Sequence, residues 1–293
     1  MSLETLAAVL ISGVIIGSLY ALMASGLSLV WGTLRVFNFA HGTLIMLAAY
    51  VAWFVAQPSV LNAGAAVGIA AAAIVMAVAG VILYFLTVRP FLSRPDAELV
   101  VIITTLSAAT FLQNGALVVF GSRFKQLPSI AGGTVNVFGT NVTLHQVAIV
   151  IVAPILLLGL ALLLKRTKIG LAIRAVEQNR ESALLAGVNP GFIYPLVFAA
   201  SASLAAVAGV LLGAIQYITS DFGSDPLLKA FIVVIFGGLG SLTGTVVGAY
   251  AIGILEAVSI FVVGLYWTPV VLFIAIIAVM LLRPNGLLGR GAT

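Results

Sequence analysis

Residues that could carry chemistry are sparse in this 293-residue chain, which holds 13 basic and 8 acidic residues, two histidines and no cysteine. A phosphate-binding P-loop needs a lysine in its glycine run, and the Gly-Gly-Leu-Gly-Ser run at 237–241 has none. His41 and His145 are isolated, without the helical spacing of zinc ligands. No G-x-S-x-G nucleophile elbow occurs. These absences predict that the chain is not an enzyme and binds neither a metal nor a cofactor itself.

One ionisable residue, Glu256, lies deep within an apolar run. Secondary transporters and channels usually carry several such groups, because coupling to protons or ions needs them. Glu256 is either hydrogen-bonded to a neighbouring helix or part of a proton relay, and a relay built from one carboxylate is a weak hypothesis. The sequence therefore predicts that any driving force comes from a partner.

The composition determines which elements must hold these residues. The chain is 62% hydrophobic and 7% charged, with a mean hydropathy of +1.27, whereas soluble domains are about 45–50% apolar and about 25% charged. Apolar runs of this length favour helices, which satisfy all their backbone hydrogen bonds internally, in a bilayer core of roughly 30 Å. The prediction is an all-α, polytopic transmembrane helical bundle that forms a single domain over 1–293. The candidate spans are 5–30, 38–57, 63–87, 97–120, 143–164, 192–216, 228–241, 243–263 and 267–282.

Two of these runs need separate comment. The stretch 228–241 is too short and too glycine-rich for an ordinary span, so it predicts a half-helix or re-entrant element and a count of eight or nine spans. The first run is too long for a signal peptide and no basic residue precedes it, so it predicts a helix that stays in the protein.

Basic residues in the loops predict the orientation of the bundle. One set of loops holds ten: Arg35, Arg89, Arg94, Lys165, Arg166, Lys168, Arg174, Arg180, Arg283 and Arg290. The opposite set holds three: Arg123, Lys125 and Lys229. The positive-inside rule puts the first set in the cytoplasm, the N-terminus outside and the C-terminus inside. No basic face carries interleaved aromatic residues, which argues against nucleic-acid binding.

The internal loop at 165–191 carries the densest charge of the chain. Its sequence favours a short amphipathic helix up to Ala186, a C-terminal cap at Gly187 and a stop before Pro190. Such a helix could dock in a groove on a partner, and an ordinary solvated loop is the alternative.

Glycines at four-residue spacing recur in the apolar runs. In lipid such pairs let helix backbones approach closely, so packing within the bundle is the favoured interpretation and a homodimer contact the alternative. The pairs are Gly13/Gly17, Gly64/Gly68, Gly209/Gly213 and Gly240/Gly244/Gly248.

Four stretches, in order along essentially the whole chain, resemble the permeases of branched-chain amino acid ABC importers, and the shorter of the two homologous permeases fits best. They are Gly26–Gly42, the EAA-like Glu181-Ser182-Ala183 followed by Gly187, Lys229–Ser241 and Leu282–Leu287. The resemblance implies a multi-pass protein of the bacterial inner membrane. Its implied partners are a homologous permease, two ABC ATPase subunits that use ATP and Mg, and an external substrate-binding protein. The residues implied in ATPase coupling are Arg174, Glu177, Glu181, Ala183 and Gly187.

Glycine breaks interrupt the apolar runs at Asn38–Gly42 and Gly237–Gly244. A similar sequence follows each break: Leu-Ala-Ala-Tyr follows the first and Val-Gly-Ala-Tyr follows the second. Paired interrupted segments indicate a pseudo-repeat with a substrate path at its interface. Free backbone groups at broken helices suit the charged ends of an amino acid. The residues predicted to line the path are Asn38, His41, Gly42, Gly238, Gly240 and Ser241. The alternative is that these glycines only permit close helix crossings.

Two other functions stay open at this point: a stand-alone secondary transporter or channel for a small polar solute, and a membrane scaffold without transport. Within the importer interpretation, the resemblance favours leucine, isoleucine and valine, while urea, short amides or other amino acids are alternatives. The partner permease could be a second copy or a different chain.

Overall fold

The computed structural model describes residues 3–57 and 64–289. Within them it contains eleven α-helices and one two-stranded hairpin. The elements are α1 Leu3–Leu34, α2 His41–Ala56, α3 Ala65–Leu83, α4 Ala97–Phe120, β1 Thr134–Val137, β2 Thr140–Thr143, α5 Leu144–Arg166, α6 Lys168–Gln178, α7 Arg180–Leu185, α8 Pro190–Gly213, α9 Ser224–Gly237, α10 Leu242–Val263 and α11 Thr268–Leu282. A π-helical turn at Tyr84–Val88 and a 3₁₀ turn at Arg89–Phe91 extend α3.

The predicted all-α class is correct except for the hairpin. Strands β1 and β2 pair antiparallel with Thr134 opposite Thr143, and they lie in the polar connection between α4 and α5. Thr143 then caps α5, where its side chain accepts from Gln146 N and the Gln146 side chain accepts from Thr143 N, a capping box. The hairpin and the helix that follows it are therefore tied together by local hydrogen bonds.

Helix α1 runs the full height of the bundle and defines its two ends. Near its start, Glu4 lies beside Gly139 of the hairpin turn, and we call this the hairpin end. Near its last turn, Gly32 lies beside Glu177 of α6, and we call this the α6–α7 end. At 32 residues, α1 is about 48 Å long. It packs against α8, α9 and α10, so these helices surround the core of the protein.

Six helices in the described residues are long and apolar enough to cross a membrane. They are Glu4–Leu34, Ala66–Phe91, Ala97–Phe120, Leu144–Arg166, Pro190–Gly213 and Leu242–Val263. Helices α2, α9 and α11, of 16, 14 and 15 residues, are about 21 to 24 Å long and shorter than a bilayer core of roughly 30 Å. The count of eight or nine spans depends on these short helices and stays a prediction.

The short helices α2 and α9 begin at one point inside the bundle and run in opposite directions. A Cβ on Gly42, at the start of α2, would collide with the carbonyl oxygen of Gly223, and a Cβ on Gly223 would collide with that of Gly42. Tyr50 of α2 stacks on Phe120 at 4.4 Å, toward the hairpin end. Helix α9 instead leads to Gly238, whose backbone contacts residues 285–289. The half-helix predicted over 228–241 is therefore present, but it begins earlier, at Ser224.

Most of the spaced glycines serve helix packing within this chain. Gly13 and Gly17 pack against the α10 backbone at Ile254 and Tyr250, and Gly209 packs against Ile45 of α2. Gly64 has no atom within 4 Å of a built Cβ. The favoured interpretation is confirmed for these three glycines and finds no support at Gly64.

Among the described residues, the basic side chains that the sequence assigned to loops lie in loops, in α6 or α7, or at the ends of α3 and α5, with Lys229 as the exception. Lys229 is in α9, where its side chain is 22% exposed and forms two ion pairs. Its assignment to a loop was wrong, because the polar segment before α9 enters the bundle and carries the helix start with it. Arg290 lies outside the described residues.

Candidate translocation and coupling sites

The break between α1 and α2 is held by buried polar side chains. The Asn38 side-chain oxygen accepts from Ala40 N at 3.1 Å, and the chain turns into α2 there. His41 Nε2 donates to the Met23 carbonyl at 3.0 Å, and His41 Nδ1 is 3.4 Å from Ser201 Oγ. Asn38 and His41 are 1% and 0% exposed. The structure therefore brings Asn38, His41 and Gly42 together, with both side chains enclosed.

This break lies at mid-height of the bundle. Met23, whose carbonyl accepts from His41, precedes the end of α1 at Leu34 by eleven residues, which is about 16 Å along a helix. The chain therefore returns into the bundle over residues 35–40 before α2 begins. Because Gly223 contacts Gly42, the start of α9 lies at the same height.

The second predicted group, Gly238, Gly240 and Ser241, lies at the α6–α7 end instead. The Ser241 side chain caps α10 by accepting from Gly244 N at 3.1 Å. Gly240 packs against Gly32 near the end of α1. The two glycine breaks are thus separate, and the segment that meets the α1–α2 break is the one around Gly223. The similar sequences that follow the two glycine breaks predict instead that Asn38–Gly42 pairs with Gly237–Gly244.

Aromatic rings cover the α1–α2 break on the α9 side. Phe37 stacks on Trp31 at 4.0 Å, and Phe231 of α9 lies 5.4 Å from Phe37 and 5.0 Å from Phe39. Phe39 N also donates to Thr105 Oγ1 of α4 at 3.2 Å. The break therefore connects α4 with α9 through Phe39.

Glu256 belongs to an ion network that links three helices. Lys229 Nζ lies 2.8 Å from Glu256 Oε1 and 3.1 Å from Asp225 Oδ2. Tyr20 Oη of α1 donates to Glu256 Oε2. The expectation of a hydrogen bond to a neighbouring helix is confirmed, and the chief partner is the lysine that the sequence analysis placed in a loop.

The predicted coupling segment at 165–191 contains two helices, α6 and α7, where the sequence predicts one helix up to Ala186. Asn179 ends α6 and caps α7, because its side chain accepts from Ser182 N at 2.9 Å. In α6, Ile173 and Val176 are buried. Arg174 is exposed, and Glu177 is half-buried beside Gly32.

Helix α7 ends in a Schellman motif that turns the chain back into the bundle. Gly187, at φ 83°, donates to the Leu184 carbonyl, and Val188 N donates to the Ala183 carbonyl at 2.9 Å. Pro190 then occupies the first turn of α8. Ala183 is buried, Glu181 and Gly187 are exposed, and Leu185 at the tip is 92% exposed. The predicted cap at Gly187 is confirmed.

Comparison of the sequence with known proteins assigns the chain to a family. The sequence profile described as "Branched-chain amino acid transport system / permease component" matches residues 9–280. The chain belongs to the branched-chain amino acid transport permease family.

Named relatives match this permease over nearly its full length. It is 33% identical over 95% of its length to the "High-affinity branched-chain amino acid transport system permease protein LivH" of Escherichia coli (strain K12), covering 94% of that protein. It is 34% identical to the corresponding protein BraD of Pseudomonas aeruginosa, with 96% and 95% of the two chains covered. It is 30% identical to a probable LivH of Methanocaldococcus jannaschii, with 96% and 92% covered. No solved structure matches.

Sequence reasoning missed two polar features of the permease. Lys229 was visible in the sequence, and its i,i+4 spacing from Asp225 was the available signal for a helix that starts before 228. Asp221 accepts from Gln113 Nε2 of α4 at 3.0 Å and from Ser224 Oγ at 2.5 Å. No local pattern connects Asp221 with Gln113, because 108 positions separate them.

Proposed function

We propose that this permease is the membrane subunit of an ABC importer that carries branched-chain or related amino acids across the bacterial inner membrane. It would pair with a homologous permease, two ABC ATPase subunits and an external substrate-binding protein. The observation that carries the proposal is the match along 95% of the chain to a relative whose name states that substrate class. ATP and Mg would be used by the ATPase subunits, and this chain would supply neither a catalytic site nor a cofactor.

The orientation that fits this function puts the hairpin end outside and the α6–α7 end in the cytoplasm. Arg35, Arg174 and Arg180 belong to the basic set near the α6–α7 end, in agreement with the positive-inside rule. The N-terminus is then outside and the C-terminus inside. The ATPase subunits would bind at α6–α7 and the substrate-binding protein at the hairpin end.

Helix α7 has the features of a docking element. Leu184 and Leu185 are 49% and 92% exposed, and large apolar side chains presented together favour contact with a partner. The Schellman motif at Gly187 fixes the tip against α8. We assign Arg174, Glu177, Glu181, Ala183 and Gly187 to coupling: Ala183 packs inward, Glu181 and Arg174 face outward, and Gly187 permits the turn.

A physical route connects this docking element with the proposed substrate path. A Cβ on Gly32 would lie 3.4 Å from Glu177 Oε1 of α6 and 3.4 Å from Gly240 Cα. Movement of α6 would therefore displace the end of α1 and the segment between α9 and α10. In this proposal Gly238, Gly240 and Ser241 form the cytoplasmic hinge of the path. Asn38, His41 and Gly42 hold the start of α2 at the mid-height of the path.

Charge and backbone variants in α7 test the coupling assignment. In the reconstituted importer, Gly187→Pro and Glu181→Lys are expected to leave the permease inserted and to abolish the ATP hydrolysis that loaded binding protein stimulates. Asp96→Lys is the matched control, because this exposed acidic residue lies outside the coupling segment. Normal stimulation in both α7 variants would exclude the coupling role.

Co-purification tests the assembly itself. Gentle extraction of the tagged permease from its native membrane should recover a P-loop ATPase and a second permease, identified by mass spectrometry. Recovery of the chain alone, together with solute uptake by vesicles that contain only this chain and no ATP, would instead support a stand-alone transporter or channel.

A further inference from the structure

Asp221 is an acidic residue without a basic partner. Its carboxylate accepts from Gln113 and Ser224. Among the described residues, the ion pairs join Arg94 with Asp96 and Lys229 with Asp225 and Glu256, so Asp221 is in none of them. Its two neutral hydrogen bonds fix the position of the carboxylate and leave its negative charge uncompensated.

This carboxylate lies within the height of the bundle. Gly223, two positions further on, contacts Gly42 at the mid-height break. Gln113, which donates to Asp221, precedes the end of α4 at Phe120 by seven residues, which is about 10 Å of helix. Two separate helices thus place Asp221 inside the membrane-crossing part of the protein. An unpaired charge at that depth is costly in lipid and is expected to face water or a charged solute.

Asp221 lies between α4 and α9, among exposed polar and apolar side chains. Thr110, one turn before Gln113, is exposed, and Ser224 begins the exposed face of α9. Leu228, one turn further along α9, is 55% exposed. Phe39 bridges the two helices, because its backbone nitrogen donates to Thr105 of α4 and its ring packs on Phe231 of α9.

We propose that Asp221 binds the ammonium group of the amino acid as it passes between α4 and α9. The carboxylate supplies the opposite charge, Gln113 and Ser224 hold it in place, and Leu228 and Phe39 supply apolar surface for an aliphatic side chain. The inference rests on the proposed function for the identity of the solute. It adds Asp221, which is not among the path residues predicted from the sequence.

The natural absence of cysteine allows a direct test. In the assembled importer, Leu228→Cys is labelled with two methanethiosulfonate reagents that share the same reactive group and carry opposite charges. One carries a trimethylammonium group and the other a sulfonate group. Phe138→Cys, in the hairpin turn and 82% exposed, gives the intrinsic ratio of the two rates. At Leu228→Cys we expect the cationic reagent to be favoured by about tenfold beyond that ratio, because Asp221 is within about two helical turns.

Substitutions at Asp221 separate its charge from general accessibility. Asp221→Asn in the Leu228→Cys background should lower the ratio toward the intrinsic value while the neighbouring Asp225–Lys229 pair is unchanged, and Asp221→Glu should keep the cationic preference. An unlabelled Leu228→Cys would mean that lipid or the partner permease covers this side of α9, and the proposal would be wrong. The same ratio with aspartate and with asparagine would also overturn it.

Substrate protection tests the ammonium assignment separately from the proposed function. During ATP-driven transport with the binding protein present, leucine should slow the labelling of Leu228→Cys, and 4-methylpentanoate, which lacks only the amino group, should not. Leucine uptake without protection would overturn the role of Asp221. Failure of the unsubstituted importer to take up leucine would contradict the proposed function instead, while the charge preference at Leu228→Cys would be unaffected.

Discussion

Lys229 connects three helices through ion pairs and a hydrogen bond that centre on the buried Glu256. Its ammonium group bonds Glu256 of α10 and Asp225 of α9, and Tyr20 of α1 donates to the same Glu256 carboxylate. The Glu256 side chain is 5% exposed, whereas that of Asp225 is 68% exposed. Both charges of the inner pair are therefore compensated in place, and removal of either leaves the other without its main partner.

This arrangement predicts unequal effects for two neighbouring acids. Glu256→Met should destabilise the protein by about 3–5 kcal/mol, because it leaves the partly buried Lys229 with only the exposed Asp225 as its partner. Asp225→Asn should cost less than about 1 kcal/mol, because that pair is solvent-exposed. The measurement is thermal unfolding in detergent.

The double variant Lys229→Met/Glu256→Met provides the control for this prediction. It removes both charges and should recover a large part of the lost stability. Equal destabilisation by Glu256→Met and Asp225→Asn would show that the inner pair is not the stabilising contact.

At the scale of elements, α2 and α9 depend on one backbone contact. A Cβ on Gly42 would meet the Gly223 carbonyl and lie 2.7 Å from Leu227 Cβ, so Gly42→Ala should separate the two helix starts. We expect a loss of about 1–3 kcal/mol, measured as above. Gly115→Ala is the matched control. A Cβ added to this helical glycine would meet no atom within 4 Å, so alanine there should be neutral or stabilising. A similar loss in both variants would contradict the contact.

Helix α7 allows a second prediction at this scale. Leu185→Ser removes an exposed apolar side chain at the tip without changing charge, and it should weaken ATPase binding by about tenfold or more if Leu185 is a central anchor. Leu265→Ser is the control, because Leu265 is 73% exposed but lies between α10 and α11, away from α7. Affinity of the purified ATPase for the permease in detergent is the measurement. Unchanged affinity for Leu185→Ser would remove α7 from the interface.

The elements show where local sequence is sufficient and where it is not. Long apolar runs predicted the six long helices, and Gly187 predicted the end of α7, because span length and cap geometry are local properties. The division at Asn179 was missed because residues on both sides favour helix, and only the Asn179 side chain, which caps α7, marks the boundary. The start of α9 was missed because the segment before it is polar, and only its neighbours reveal that it enters the bundle.

For the whole molecule, the two ends should lie on opposite sides of the membrane. In cells that lack the partner ATPase, so that α7 is uncovered, Phe138→Cys of this naturally cysteine-free chain should react with a membrane-impermeant thiol reagent in intact spheroplasts, and Leu185→Cys should react only after permeabilisation. Both positions are highly exposed, at 82% and 92%, so accessibility within the protein does not limit either reaction. The reverse pattern would invert the orientation.

The candidate site was only partly predictable, for reasons that belong to the whole molecule. Sequence selected the breaks at Asn38–Gly42 and Gly237–Gly244, because glycines interrupt apolar runs there. It could not show that Asn38 and His41 turn inward, nor that Gly42 meets Gly223, because both depend on helices far apart in the chain. The same holds for Gln113 and Asp221, whose contact exists only after α4 and α9 have docked.

The contact between Gly42 and Gly223 also bears on how the protein is made. Helix α2 emerges during synthesis about 180 residues before its counterpart, a delay of roughly ten to forty seconds at usual translation rates. Throughout that interval α2, which is too short to cross the bilayer, lacks α9, and the backbone at Gly42 that Gly223 later covers stays exposed. Biogenesis therefore calls for a sheltered, hydrated environment, at the translocon or an insertase, that retains α2 until α9 arrives.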